Sequence, residues 1–176
     1  NAESCLGLST LAQAAGLLGD TLCRETAHAI IEDAYLHHFD RATGRHRAGH
    51  DRLQNYGSFL DAIRIYHQRL GTTEFLADAQ RSARQLMSLQ HRDGNFYNHH
   101  NIYNNVIHPV KSLFDWGQHL RAHGQTADAD EIFASVEKAY RAMARFGDDT
   151  QTEGSDHFED GMTACSGYQI ASLWPH

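Results

Sequence analysis

The chain predicts an all-α domain built of stacked helical hairpins, and three observations carry that prediction. Apolar residues recur at three- and four-residue spacing in one segment after another. No stretch sustains the two-residue alternation of a half-buried strand. Only two prolines in 176 residues leave the helical segments largely unbroken. At this length folding buries roughly 70% of the unfolded surface. The hydrophobic share of 41% and charged share of 21% suit a soluble globular protein. Residues 1–176 therefore read as one helical domain.

The elements follow in order. Leu6 to Leu18 is a short apolar helix, with Gly19 where a C-cap would sit. Asp20 then caps a second helix, in which Leu22, Cys23, Ala27, Ile30, Ile31, Ala34 and Tyr35 share helical spacing. It dissolves at His37-His38-Phe39-Asp40 into a polar loop that carries Gly44 and Gly49 and reaches about Gln54. A third helix runs from Tyr56 to Leu70, with Phe59, Leu60, Ile63, Tyr66, His67 and Leu70 on one stripe. Gly71-Thr72-Thr73 is a tight turn with a capping threonine. The fourth helix begins at once, with Phe75, Leu76, Ala79, Ala83, Leu86, Met87 and Gln90 as its stripe.

Beyond the long segment Gln90–Pro109, Pro109 suits the first turn of a fifth helix. Val110, Leu113, Phe114, Gly117 and Leu120 carry that helix to His123-Gly124. A sixth helix shows Ile132, Phe133, Val136, Ala139, Tyr140 and Met143 on one face and ends at Gly147. After a loop with Asp148, Asp149, Glu153 and Gly154, a last helix holds Met162, Cys165, Tyr168 and Ala171 until Trp174-Pro175.

The period is the organising feature. Odd-numbered helices start near Asn55, Asn105 and Asp160, a repeat of about 50 residues in which each hairpin closes by a short turn and long loops join the hairpins. An up-down stack gathers its long loops on one end. Those loops are Asp40–Asn55, His91–His108 and Gly147–Asp160, and they hold seven of the 14 histidines: His46, His50, His91, His99, His100, His108 and His157.

Charge and composition narrow the function. A formal net charge of −7 argues against a non-specific nucleic-acid or anionic-membrane partner, because both need a basic face. No apolar run approaches the roughly 18 residues of a membrane-spanning helix. Cys5, Cys23 and Cys165 are odd in number and lack Cys-x-x-Cys spacing, so neither a disulfide framework nor a zinc ribbon fits, and the compartment stays open. Asn1 in place of Met, and an end at Ser-Leu-Trp-Pro-His, suggest a processed or partial chain. If a leader has been removed, the setting is secreted or periplasmic.

Gln90–Pro109 is the centre of the chain. It is far longer than the roughly 2–8 residues of an ordinary helix–helix connection. It holds four histidines, five asparagines, two tyrosines and an Asp-Gly turn, all groups that donate, accept or shuttle protons.

Asp93-Gly94-Asn95-Phe96-Tyr97 opens this loop, and Phe158-Glu159-Asp160-Gly161-Met162-Thr163-Ala164-Cys165-Ser166-Gly167-Tyr168-Gln169 enters the next inner helix. With hairpins of this period, these stretches resemble the (α/α) toroid of carbohydrate-active enzymes, the superfamily of six-hairpin glycosidases and several polysaccharide lyases. The likeness covers most of the chain in architecture and is sharp at residues 92–104 and 153–169. It implies a fold that forms part of an (α/α) toroid or barrel, and a polysaccharide or oligosaccharide as substrate. Such toroids close with more hairpins than the roughly three and a half found here. Missing hairpins or a second subunit would complete the ring.

Two chemistries fit that substrate. A lyase that cleaves a uronic-acid glycan by β-elimination must neutralise the sugar carboxylate, remove the adjacent proton and protonate the leaving oxygen. Asn and His suit the first task, His or Tyr the second and Tyr the third. Tyr97, His99, His100 and Tyr103, with His157 from the next loop, are the candidate catalytic residues. Asn98, Asn101, Asn104 and Tyr56 are candidate substrate contacts. The bland alternative is a histidine-rich loop that folds on itself through side-chain hydrogen bonds.

A glycoside hydrolase would instead pair carboxylates roughly 5–10 Å apart, Asp93 with Asp156, Glu159 or Asp160. Each has a structural explanation, since Asp93-Gly94 is a turn signal and Glu159 and Asp160 sit where first-turn acids favour a helix dipole. A third class is a non-catalytic helical-repeat module that binds a partner along its concave face. No cofactor is assigned. His46/His50 and His119/His123 lie four apart without a third ligand, so no metal site is assigned, although Asp148, Asp149 and Asp156 offer carboxylates to Ca²⁺. Cys165 and Ser166 lack a nucleophile elbow. Trp116, Tyr168 and Trp174 read as core before they read as sugar-stacking rings.

Overall fold

The computed structural model describes residues 2–48, 53–96 and 104–149. Six helices and no strand occur among them, so the chain is all-α. The chain divides into two compact units, Asn1–Ser88 and Leu89–His176.

The first unit contains α1 (Ala2–Leu18), α2 (Thr21–His37), α3 (Leu53–Leu70) and α4 (Leu76–Ser88). Helix α1 packs against α2 and α3, and α4 lies against α3. The face of α1 toward α3 uses small residues, Ala12, Ala15 and Gly16. A Cβ added at Gly16 would stand 2.7 Å from the Arg69 carbonyl oxygen, so the two backbones touch. Asp20 caps α2 as its sequence position predicts, its Oδ1 accepting the Cys23 N–H at 2.8 Å.

The rest of the first core is aromatic. Phe39 stacks on Phe59 with ring centroids 4.4 Å apart, while Tyr35 and Tyr56 meet those rings edge-on. Burying each such ring contributes roughly 1.5–3 kcal/mol. Thr72 rather than Thr73 supplies the side-chain acceptor of the α3–α4 turn, taking the Glu74 N–H at 3.2 Å.

The second unit contains α5 (Asn104–Ala122) and α6 (Thr126–Asp149), packed together and joined by a short turn. Val110, Leu113, Trp116 and Leu120 of α5 bury against Ile132, Val136 and Ala139 of α6. Ring contact between Phe114 and Phe133, with the Arg121 guanidinium 4.4 Å above Phe133, closes the side of the pair.

Several boundaries differ from the sequence reading. Helix α1 starts at Ala2 rather than Leu6, and α3 at Leu53 rather than Tyr56, so the loop between α2 and α3 is shorter. Helix α5 starts at Asn104, which places Pro109 inside the helix rather than in its first turn. The proline forfeits one backbone bond there, about 3 kcal/mol in an exposed helix, and Pro109 lies in a buried stretch that offsets this. Helix α6 runs through Gly147 to Asp149, since a single interior glycine costs only about 1 kcal/mol against alanine. The last helix expected after Asp160 lies outside the described residues.

Candidate functional site

Of the residues that the sequence nominates, Tyr97, Asn98, His99, His100, Asn101, Tyr103, His157, Glu159 and Asp160 lie outside the described residues, as do His50 and Asp156. Asn104 is described in its backbone, as the first residue of α5. Asp93 and Tyr56 are described in full, and each has a definite task.

Asp93 belongs to the turn that opens the central loop. Its Oδ1 accepts the Asn95 N–H at 3.0 Å, the bond by which an aspartate imitates a backbone turn. The His91 N–H reaches the Asn95 carbonyl at 2.8 Å and the Gly94 N–H reaches the His91 carbonyl at 3.0 Å, so residues 91–95 close on themselves. Gly94 has φ 101° and lies so close to α6 that a Cβ would stand 2.5 Å from the Lys138 carbonyl oxygen.

Two residues missing from the sequence-based site hold this turn down. The Gln90 amide nitrogen donates to the carbonyls of Gly94 and Ser135, each at 2.9 Å, and its oxygen accepts the Ser135 hydroxyl at 3.0 Å. Lys138 Nζ adds a bond to the His91 carbonyl at 3.2 Å. Asn95 and Phe96 are buried beyond the turn. The signal was present in the sequence. In the sequence Gln90 continues the apolar stripe of the fourth helix, where a polar residue needs a partner, but α4 ends at Ser88 and Gln90 serves the turn.

Tyr56 was expected to touch substrate. It is 1% exposed, and its hydroxyl accepts the His46 backbone N–H at 2.6 Å, so in this structure it anchors the loop that precedes α3. Burial pushes its phenol above the ordinary tyrosine range.

The rest of that loop is equally tied. Asp40 Oδ1 accepts the Thr43 N–H at 2.9 Å, the bond that holds its carboxyl below the usual range. Phe39 and His46 form an antiparallel bridge. Gly44 (φ 74°) presses against the backbone of Arg81 and Ser82. Arg41 pairs with Glu32 at 2.8 Å and Asp78 at 3.0 Å while lying 4.7 Å over the Tyr35 ring, and Arg81, itself paired with Asp78, donates to the Arg41 carbonyl at 2.8 Å.

No group of three or more histidine, cysteine, aspartate or glutamate side chains among the described residues is arranged to hold a metal ion. His123 donates Nδ1–H to the His119 carbonyl at 2.8 Å, and His119 is buried beside Trp116 with ring centroids 5.3 Å apart. That pair and Trp116 are accounted for by packing in the second unit. Cys5 is a free thiol that burial pushes up to about 11, which suppresses the thiolate needed of a nucleophile. No helix among the described residues is long and apolar enough to cross a membrane. Compared with protein-family models, curated proteins and solved structures, the chain matches none.

Proposed function

We propose that the chain is a segment of a carbohydrate-active (α/α) toroid that acts on a uronic-acid polysaccharide as a lyase. The observation that carries this reading over a hydrolase is the state of Asp93. Asp93 has a structural reason to stand where it does, since its Oδ1 accepts the Asn95 N–H and closes the turn that opens the central loop. The groups left in the central loop are amides, imidazoles and phenols, which suit β-elimination.

In that reaction the amides of Asn98, Asn101 and Asn104 donate to the uronate carboxylate and lower the acidity barrier at the adjacent carbon. His99 or His100 takes the proton from that carbon, with His157 as a further candidate base. The released electron pair forms the ring double bond as the bond to the leaving oxygen breaks. That oxygen takes its proton from the phenol of Tyr97 or Tyr103. Water is not consumed, and one new chain end is unsaturated.

Incubation of the protein with pectate, alginate and glycosaminoglycans tests this directly. Ultraviolet absorbance from a conjugated unsaturated uronate is the expected result, and changes at His99, His100 or His157 to Ala and at Tyr97 or Tyr103 to Phe identify the base and the acid by which of them abolishes it. New reducing ends without that absorbance would overturn the lyase in favour of a hydrolase. Saturable glycan binding with no cleavage at all would favour the non-catalytic module.

A further inference from the structure

The loop between α2 and α3 contains a buried histidine whose ring acts as a hydrogen-bond acceptor. His46 is 5% exposed, and its Nδ1 accepts the Ala48 backbone N–H at 3.2 Å. An imidazole that accepts at Nδ1 is neutral and carries its proton on Nε2. Asn55 Nδ2 stands 3.3 Å from Nε2, and because the Ala48 N–H requires the ring proton on Nε2, the Asn55 amide turns end for end so that its carbonyl oxygen accepts that proton.

The same residue is bound through its backbone. Its N–H donates to Tyr56 Oη, and the flanking Arg47 N–H reaches the His38 carbonyl at 2.8 Å. The Asp40 N–H reaches the Arg45 carbonyl at 2.8 Å, which completes a narrow ladder between His38–Asp40 and Arg45–Arg47. Ala48, just past that ladder, is held by the imidazole.

The ring is reachable by solvent protons although it is buried. With Cys5 of α1, Asp33 of α2, His38 at the α2 cap and Asn55 of α3, it lines a pocket of about 40 Å³, room for a water molecule. His38 lies parallel to it with ring centroids 6.3 Å apart. Of the charged groups around it, Asp33 lies 3.5 Å from His37 and the Asp40 carboxyl is held by Thr43, while Arg45 and Arg47 flank it in the chain. Protonating His46 places a new N–H against the Ala48 N–H, and two donors cannot share one bond.

We propose that His46 is an acid-sensitive latch: the neutral imidazole holds the chain at Ala48, and protonation releases it. The device belongs to the first unit alone and stands independently of the glycan-cleaving reading.

The test is amide hydrogen exchange at Ala48, followed from about pH 7.5 to about pH 5 after correction for intrinsic exchange. Protection is expected to fall roughly tenfold as the pH drops, the effect of one lost hydrogen bond. His46→Asn is the informative variant. Its Oδ1 can accept the same N–H two residues on and cannot titrate, so protection becomes independent of pH. His38→Gln, which alters only the exposed neighbouring ring, retains the wild-type response. Nitrogen shifts of the wild-type His46 ring give a second reading, with the neutral-pH proton expected on Nε2. Protection at Ala48 that is flat with pH, an acid response that persists in His46→Asn, or a neutral ring protonated at Nδ1 would each overturn the latch.

Discussion

The Tyr56 hydroxyl accepts the His46 backbone N–H at 2.6 Å, which joins the first turn of α3 to the loop that enters it. The contact spans ten positions in sequence. It fixes where a long loop turns before the chain becomes helical. The Tyr56 ring meets Phe39 edge-on at 5.4 Å, so one side chain serves both the core and the loop.

Replacing Tyr56 with phenylalanine separates those two contributions. The ring contacts survive in Tyr56→Phe, while the buried His46 N–H loses its acceptor. The expected loss is about 1–2 kcal/mol in urea unfolding with an unchanged slope. A loss below about 0.3 kcal/mol would show that the amide finds another acceptor.

Gly94 is where the central loop depends on backbone shape. With φ 101° and only 2.5 Å between a would-be Cβ and the Lys138 carbonyl oxygen, Gly94→Ala must both strain its backbone and push the turn off α6. A loss of about 2 kcal/mol or more is expected in the thermal unfolding of the protein. Gly124 also has positive φ, at 76°, but nothing stands near its missing Cβ, so Gly124→Ala should cost only about 1 kcal/mol.

Asp93 offers a clean division between turn and catalysis. Asp93→Asn retains an oxygen for the Asn95 N–H, so stability should stay within about 0.5 kcal/mol of wild type, whereas Asp93→Ala should lose about 1 kcal/mol. Under the lyase reading the asparagine variant also keeps its activity on uronate polymers. Abolished cleavage in Asp93→Asn at wild-type stability would return the carboxylate to the chemistry.

Alkaline pH should weaken the first unit. Burial pushes the Cys5 thiol up to about 11, above its model-peptide value, and burial likewise pushes the Tyr35 phenol up strongly. Above the unfolded thiol's range the unfolded chain gives up its proton while the native chain keeps it. The native state then binds more protons, and stability falls with rising pH. The Cys5 contribution is complete below about pH 8.5 and is lost progressively toward about 11. Urea midpoints measured across that window should decline, and Cys5→Ala should flatten the part that belongs to the thiol.

The helical class was legible because helices, caps and tight turns advertise themselves locally. Asp20 as a cap, the stripe Phe59-Leu60-Ile63-Tyr66 and the turn at Asp93-Gly94 depend on neighbours within a few positions, and the structure bears each of them out. Helix limits were less legible. Pro109 reads as a start signal, yet α5 already begins at Asn104, because helix propagation into a buried pair can offset one missing bond. The catalytic candidates between Tyr97 and Tyr103 rest on residue chemistry in the sequence and lie outside the described residues.

By itself the sequence determined the helical class, several caps and turns, and the residue types that crowd the central loop. These follow from periodicity and side-chain chemistry, which are written in neighbouring positions. Only the tertiary structure decided what individual polar groups do. Gln90 closes a turn against Ser135 across 45 positions, Tyr56 holds His46, and the His46 ring receives Ala48. A buried polar atom must be paired, but its partner is chosen by the approach of distant backbone, and no local pattern encodes that choice.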